Sequence, residues 1–158
     1  WTGKGSATII FDSTVDEFTD QGLFDKVKGK ANIAIIGFTT EGDVFGGFYN
    51  VAVTEQNRCF YDPNMFVFSF ESHGRCETPQ RFVVKAEQRG ERYVWFRKSH
   101  NSKEGFVDIG GSGLLGLGNE KSKTWCYKLS SFYEGIEDNT LTGDHYFTCT
   151  RIVVIQLE

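Results

Sequence analysis

Short apolar runs separated by polar, glycine-bearing turns recur along the whole chain. The clearest case lies near the first third. Ile33-Ala34-Ile35-Ile36-Gly37-Phe38 and Val44-Phe45-Gly46-Gly47-Phe48-Tyr49-Asn50-Val51 flank the turn Thr39-Thr40-Glu41-Gly42-Asp43. Runs of β-formers around such a turn predict a buried hairpin. Its second strand carries two glycines, which signals a bulge or a close approach of neighbouring chain at Gly46 and Gly47. Other runs read as strands: Thr8-Ile9-Ile10-Phe11, Met65 to Phe70, Arg81 to Ala86, Tyr93 to Phe96, Gly105 to Ile109 and the shorter Leu114-Leu115-Gly116-Leu117. Residues 146–157 form a long alternating run. Phe147, Cys149, Val153, Ile155 and Leu157 are expected on one face, and Thr148, Thr150, Ile152, Val154 and Gln156 on the other. A run this apolar on both faces belongs inside a sheet.

One segment has helical character. Thr14 and Glu17 have capping-box spacing, and Thr19 is placed to cap a helix over about 20–28. Leu23, Phe24 and Val27 share a face of that helix, and Gly29 is placed to end it. Gly22 weakens it, so it should be short and seal one opening of a sheet core. Residues 119–144 are the least regular part and read as packed loop with a short helix. Eight or nine strands with little helix between them predict a mainly β fold: a two-layer antiparallel β-sandwich with one or two short flanking helices. No repeat or linker interrupts it, so residues 1–158 read as one domain. The first residue is not Met, as expected of an excised domain or a processed chain.

Composition sharpens this picture. Fifteen Phe, six Tyr and three Trp, with 18 Gly and only two Pro, favour pleated strands joined by glycine turns. A net charge of −4 with scattered cations argues against nucleic acid as the partner. Lys26, Lys28 and Lys30 fall where a helix ends and complement its dipole. No apolar stretch reaches the length of a membrane span. Cys59, Cys76, Cys126 and Cys149 lack close paired spacing, and a chain of this size does not need disulfides, which points to a reducing compartment.

The candidate chemistry is sparse. Gly111-Ser112-Gly113-Leu114-Leu115-Gly116 satisfies a dinucleotide-binding glycine pattern. Gly116 and Gly118 would break the helix such a site requires, and no βαβ unit surrounds it. A tight glycine turn or a bulge between strands, built on Gly111 and Gly113, is the better account. Cys59 follows Arg58, and Cys76 follows Arg75 near His73, so these two thiols are the candidates for redox or nucleophilic work. Cys149 reads as an inert core residue. His73, His100 and His145 are far apart, and no metal-ligand rhythm or nucleophile elbow is present. No cofactor is expected.

Several of these segments, in this order, resemble the TLDc domain family. The carriers are Ile9-Ile10-Phe11-Asp12-Ser13, Leu23-Phe24 before Gly29, and the hairpin with Gly42-Asp43-Val44-Phe45-Gly46-Gly47-Phe48. They continue with Phe66-Val67-Phe68-Ser69-Phe70, then Gly110-Gly111-Ser112-Gly113 with Leu114-Leu115-Gly116-Leu117, and the alternating final strand. Two departures stand out: Val51-Ala52-Val53 replaces an aromatic-Pro-Trp segment, and Gly118-Asn119-Glu120 displaces a later acidic residue. The resemblance implies a helix-flanked β-sandwich with no agreed catalytic residues. It also implies a link to oxidative-stress resistance and to binding the peripheral subunits of the vacuolar-type proton pump, in the cytoplasm or nucleus.

The expected function is therefore a non-catalytic protein-interaction module working through loops at 41–43, 57–64 and 72–80. Glu41, Asp43, Arg58, Phe60 and Tyr61 are the candidate contact residues, since aromatic and Arg side chains are enriched in binding hot spots. Phe60 and Tyr61 read equally well as aromatics tucked against the sheet. The alternatives are a thiol- or peroxide-reactive enzyme using Cys76 or Cys59, and a carbohydrate-binding sandwich.

Overall fold

Twelve strands among the described residues pair into two six-stranded sheets, and every pairing is antiparallel. The computed structural model describes residues 1–98, 103–111 and 115–158. In chain order the strands are β1 (Ala7–Asp12), β2 (Ile33–Thr39), β3 (Val44–Tyr49), β4 (Phe60–Tyr61), β5 (Phe66–Glu71), β6 (Gln80–Val83), β7 (Tyr93–Phe96), β8 (Val107–Ile109), β9 (Leu115–Leu117), β10 (Thr124–Cys126), β11 (Tyr146–Phe147) and β12 (Cys149–Leu157). The first sheet runs β1-β12-β2-β3-β5-β6 and the second β11-β10-β9-β8-β7-β4. Side chains from both fill a common core, among them Phe45, Tyr49, Val67, Phe96, Ile109 and Leu117. The expected antiparallel sandwich is what the chain adopts.

Helix α1 (Asp20–Val27) follows the local rules. The Thr19 hydroxyl accepts from the Gly22 N–H at 3.0 Å, Asp20 sits in the first turn and Lys26 in the last. Leu23, Phe24 and Val27 are buried, with Phe24 against Phe96 at 5.9 Å between ring centres. The Thr14–Glu17 spacing forms no capping box. Thr14 instead donates from its N–H and its hydroxyl to the Asp12 carboxylate, closing a turn after β1. A second helix, α2 (Leu129–Phe132), lies in the irregular stretch, which also contains the unexpected strand β10.

The hairpin of β2 and β3 pairs in regular register from Ile33 opposite Tyr49 to Phe38 opposite Val44. Gly46 and Gly47 therefore form no bulge; close approach is their role. A Cβ on Gly47 would lie 2.4 Å from Ile109 Cγ2, which reaches across from the second sheet. A Cβ on Gly46 would lie 1.9 Å from the Ile35 carbonyl oxygen.

The final run corrects an expectation. Tyr146 and Phe147 pair with β10 in the second sheet, and the chain then crosses to β12 in the first. At the corner, Thr124 Oγ1 donates to the Phe147 carbonyl and Thr40 N–H donates to the Thr148 carbonyl. A bulge between Cys149 and Arg151 then reverses the alternation. Cys149 joins Ile152 and Val154 in the shared core, while Ile155 and Leu157 pack on the outer face. Strand β12 lies inside its sheet, between β1 and β2.

Candidate functional site

Loops at one end of the sandwich converge on a buried carboxylate. Asp43 closes the β2–β3 turn, where its N–H donates to Thr39 Oγ1 at 3.0 Å and its carbonyl accepts from the Thr39 N–H at 3.1 Å. Only 1 % of the residue is exposed, so it is not the surface contact expected from a polar turn. Burying a carboxylate is unfavourable unless charge and hydrogen bonds compensate it. Here Arg75, from the β5–β6 loop, donates to Asp43 Oδ1 at 2.5 Å, and His73 Nδ1 lies 3.0 Å from the same oxygen. His73 holds a left-handed backbone, φ +52°, which places its ring against Gly42.

Arg75 also reaches a third segment. Its Nε donates to the Thr140 carbonyl at 3.0 Å, and the same terminal nitrogen that binds Asp43 also donates to the Leu141 carbonyl at 3.2 Å. One guanidinium thus fastens the β2–β3 turn, the β5–β6 loop and residues 140–141 into one surface. The planar, multi-donor fork suits this, since a Lys could not span all three acceptors. Glu41 is exposed at the tip of this surface.

Cys76 follows directly. It is half-buried, and its N–H donates to Ser72 Oγ at 2.7 Å. It lines a hollow of about 350 Å³ with Arg75, Gln80, Glu137 and Thr140. The other candidate thiol, Cys59, is also half-buried and lies on the edge of the second sheet, beside β4. There Arg58 pairs with Glu55 and lies over the Phe60 ring at 5.7 Å, all in exposed or half-exposed positions. Phe60 tucks against the core, whereas Tyr61 is 55 % exposed and meets Tyr93 edge-on at 5.5 Å. No hydrogen bond, ion pair or ring contact joins this group to the Asp43 cluster among the described residues. The structure therefore unites Glu41 and Asp43 with the 72–76 loop and leaves Arg58, Cys59, Phe60 and Tyr61 as a separate patch.

The remaining thiols are core groups. Burial pushes Cys126 up to about 12 and Cys149 up to about 11. All four cysteines are free. Gly110 and Gly111 make the turn after β8 with φ of +86° and +122°, as a glycine turn requires. Ser112, Gly113, Leu114 and His100 lie outside the described residues. Among the described residues, no three His, Cys, Asp or Glu side chains cluster to hold a metal ion, and no helix is long and apolar enough to cross a membrane.

One cluster gave no signal in the sequence reading. On the outer face of the second sheet Trp95, Asp108, Gly116 and Trp125 stand in register across β7 to β10. Arg97 donates to Asp108 Oδ2 at 2.6 Å and stacks on Trp95 at 4.9 Å and Trp125 at 5.6 Å. Asp108 is fully buried and its other oxygen is unpartnered; desolvation raises its carboxyl to about 6 against the pull of Arg97. A period-two pattern that includes Trp95 and Asp108 marks the strands, but only the register across four strands brings these residues together.

The chain is thus a two-sheet antiparallel sandwich with three loop segments joined at one end by Arg75. A family model described as TLDc domain matches residues 2–157. The chain belongs to the TLDc domain family. No curated protein matches it by sequence comparison.

Proposed function

We propose that this chain is a non-catalytic protein-interaction module that acts through the loop surface around Asp43 and Arg75. The observation that carries this reading is the three-way clamp by Arg75. A surface assembled from distant loops and held rigid loses less conformational entropy on binding than mobile loops would. Glu41 and the exposed side of His73 supply polar contact groups on it. Membership of the TLDc family supports a role in oxidative-stress resistance and in binding or regulating the vacuolar-type proton pump by way of its peripheral subunits, in the cytoplasm or nucleus. The domain is taken to span residues 1–158.

Affinity capture from cell lysate with the folded chain tests this. Saturable recovery of proton-pump peripheral subunits, reduced in an Arg75→Ala chain that still folds, supports it. Recovery of no protein partner, alongside turnover of peroxide that a Cys76→Ser or Cys59→Ser chain loses, would replace it with a thiol enzyme.

A further inference from the structure

The first sheet is apolar on both faces. Across its outer face the register aligns Ile9, Ile155, Ala34, Phe48, Phe66 and Val83, one residue from each of six strands. Phe68 and Phe70 extend this row along β5, with Phe68 against Phe70 at 4.8 Å. An antiparallel sheet whose outer face meets only water normally alternates apolar with polar residues. Here Ile9 is 64 % exposed and Phe70 43 % exposed on a face whose centre is already a small second core.

The chain itself indicates what this face accepts. Trp1 lies on it, stacked on Phe70 at 5.7 Å and edge-on to Phe66 at 6.4 Å, yet remains 52 % exposed. Its carbonyl accepts a hydrogen bond from the Arg81 guanidinium. Beside it lies a hollow of about 280 Å³ that shares Trp1, Phe48 and Phe66 and is bounded by Arg81 and Arg89. No acidic residue lines it. The Arg89 side chain makes no hydrogen bond or ion pair among the described residues.

We propose that this face docks an amphipathic α-helix of a partner protein, with its apolar stripe on the exposed Trp1 and Phe70, which cover the buried Phe66 and Phe68, and its flanking carboxylates on Arg81 and Arg89. This rests on the interaction-module reading and gives it a second surface, distinct from the Asp43–Arg75 loops. A helix fits because the face offers side chains only. The backbone groups of its inner strands are used within the sheet, so an extended peptide laid on the face would leave its own N–H and C=O groups unmet. A helix satisfies these internally, and helix on sheet is a standard layer pairing. Five interstrand steps give a width of roughly 24 Å, ample for a helix about 10 Å across. Acidic flanks follow from two arginines that bound a hollow lined by no carboxylate. A second copy of this chain would bring the same apolar face and the same cations, leaving both arginines unmatched.

The test uses two stapled, dye-labelled helical peptides of about 18 residues, roughly 27 Å long. They share one Leu/Phe stripe; one carries Glu flanks and the other Lys flanks. Fluorescence anisotropy against the full chain should show the Glu peptide binding at least about tenfold more tightly. Arg81→Glu with Arg89→Glu should reverse that order. Phe70→Asp should abolish both interactions, and Val15→Asp, at an exposed position elsewhere, should change neither. Thermal melts confirm that each variant folds. Equal binding of both peptides, binding of neither, or an order unchanged by the arginine reversals overturns the proposal, as does concentration-dependent dimerisation abolished by Phe70→Asp. If lysate partners are still captured by the Phe70→Asp chain and the peptides do not bind, this inference fails while the interaction-module reading stands.

Discussion

Substituting Gly47 by alanine tests the inter-sheet packing at its tightest point. The added methyl would lie 2.4 Å from Ile109 Cγ2 and 3.1 Å from Ile109 Cδ1. Carbon atoms pack comfortably at about 3.5–4.0 Å, so the two groups must separate by roughly 1 Å or more. Ile109 is completely buried between the sheets and cannot swing into solvent. Overpacking of this kind costs about 1–3 kcal/mol. For a chain of this size that lowers the melting temperature by about 2–12 °C. Urea unfolding followed by tryptophan fluorescence, with thermal melts by circular dichroism, measures both. The double variant with Ile109→Ala isolates the cause. Alone, Ile109→Ala should cost about 2–5 kcal/mol by leaving a cavity. Together with Gly47→Ala, the new methyl occupies part of that cavity, so the pair should cost less than the sum by about 1–3 kcal/mol. Gly46→Ala should show no such rescue, because its obstacle is the main-chain oxygen of Ile35 at 1.9 Å. A Gly47→Ala loss below about 0.5 kcal/mol, or strict additivity with Ile109→Ala, would refute the packing argument.

Three further outcomes follow from the clusters. Arg75→Ala should cost about 2 kcal/mol, less than for a wholly buried pair because Arg75 is 29 % exposed, and should speed hydrogen exchange at 72–79 and 134–143 while leaving the core strands protected. Asp108 binds its proton more tightly in the fold than when unfolded, so its stabilising contribution is complete below about pH 4 and is lost as pH rises through about 6. The rise from 3.8 to about 6 corresponds to about 3 kcal/mol. Denaturant unfolding of Asp108→Asn should lack that decline between pH 4 and 6. Asp12 and Asp16, held low by hydrogen bonds from Arg151 and Lys26, act in the opposite sense at more acidic pH in both chains. Finally, alkylation at pH 8 followed by mass spectrometry should label Cys59 and Cys76 in the native protein and reach Cys126 and Cys149 only on unfolding, since burial disfavours both the access and the thiolate of the latter pair.

Local signals carried much of the fold. The β2–β3 hairpin, helix α1 with its Thr19 cap and strand β5 all announce themselves through periodicity and capping chemistry within a few residues. What escaped depends on distant partners. The alternation through 146–157 continues unbroken in sequence, so neither the crossing at Thr148 nor the bulge before Arg151 leaves a mark; the crossing is held by Thr124 of β10 and Thr40 of the β2–β3 turn. Strands β4 and β10 are two and three residues long, too short for a periodic signal. Asp43 illustrates the same limit at the candidate site. In a Glu-Gly-Asp turn it reads as solvated, and its burial follows only from Arg75, 32 positions away. The Gly46-Gly47 pair was legible as a special backbone site, but the choice between bulge and close approach needed Ile109 from the other sheet.

The most direct measurement is a calorimetric titration of the purified chain with purified peripheral subunits of the vacuolar-type proton pump, repeated with Arg75→Ala. A saturable interaction in the native chain, weakened at least about tenfold by the substitution while cooperative unfolding is retained, is the predicted result. Absence of binding by the native chain, or equal affinity in both, would contradict a function built on the loops that Arg75 holds together.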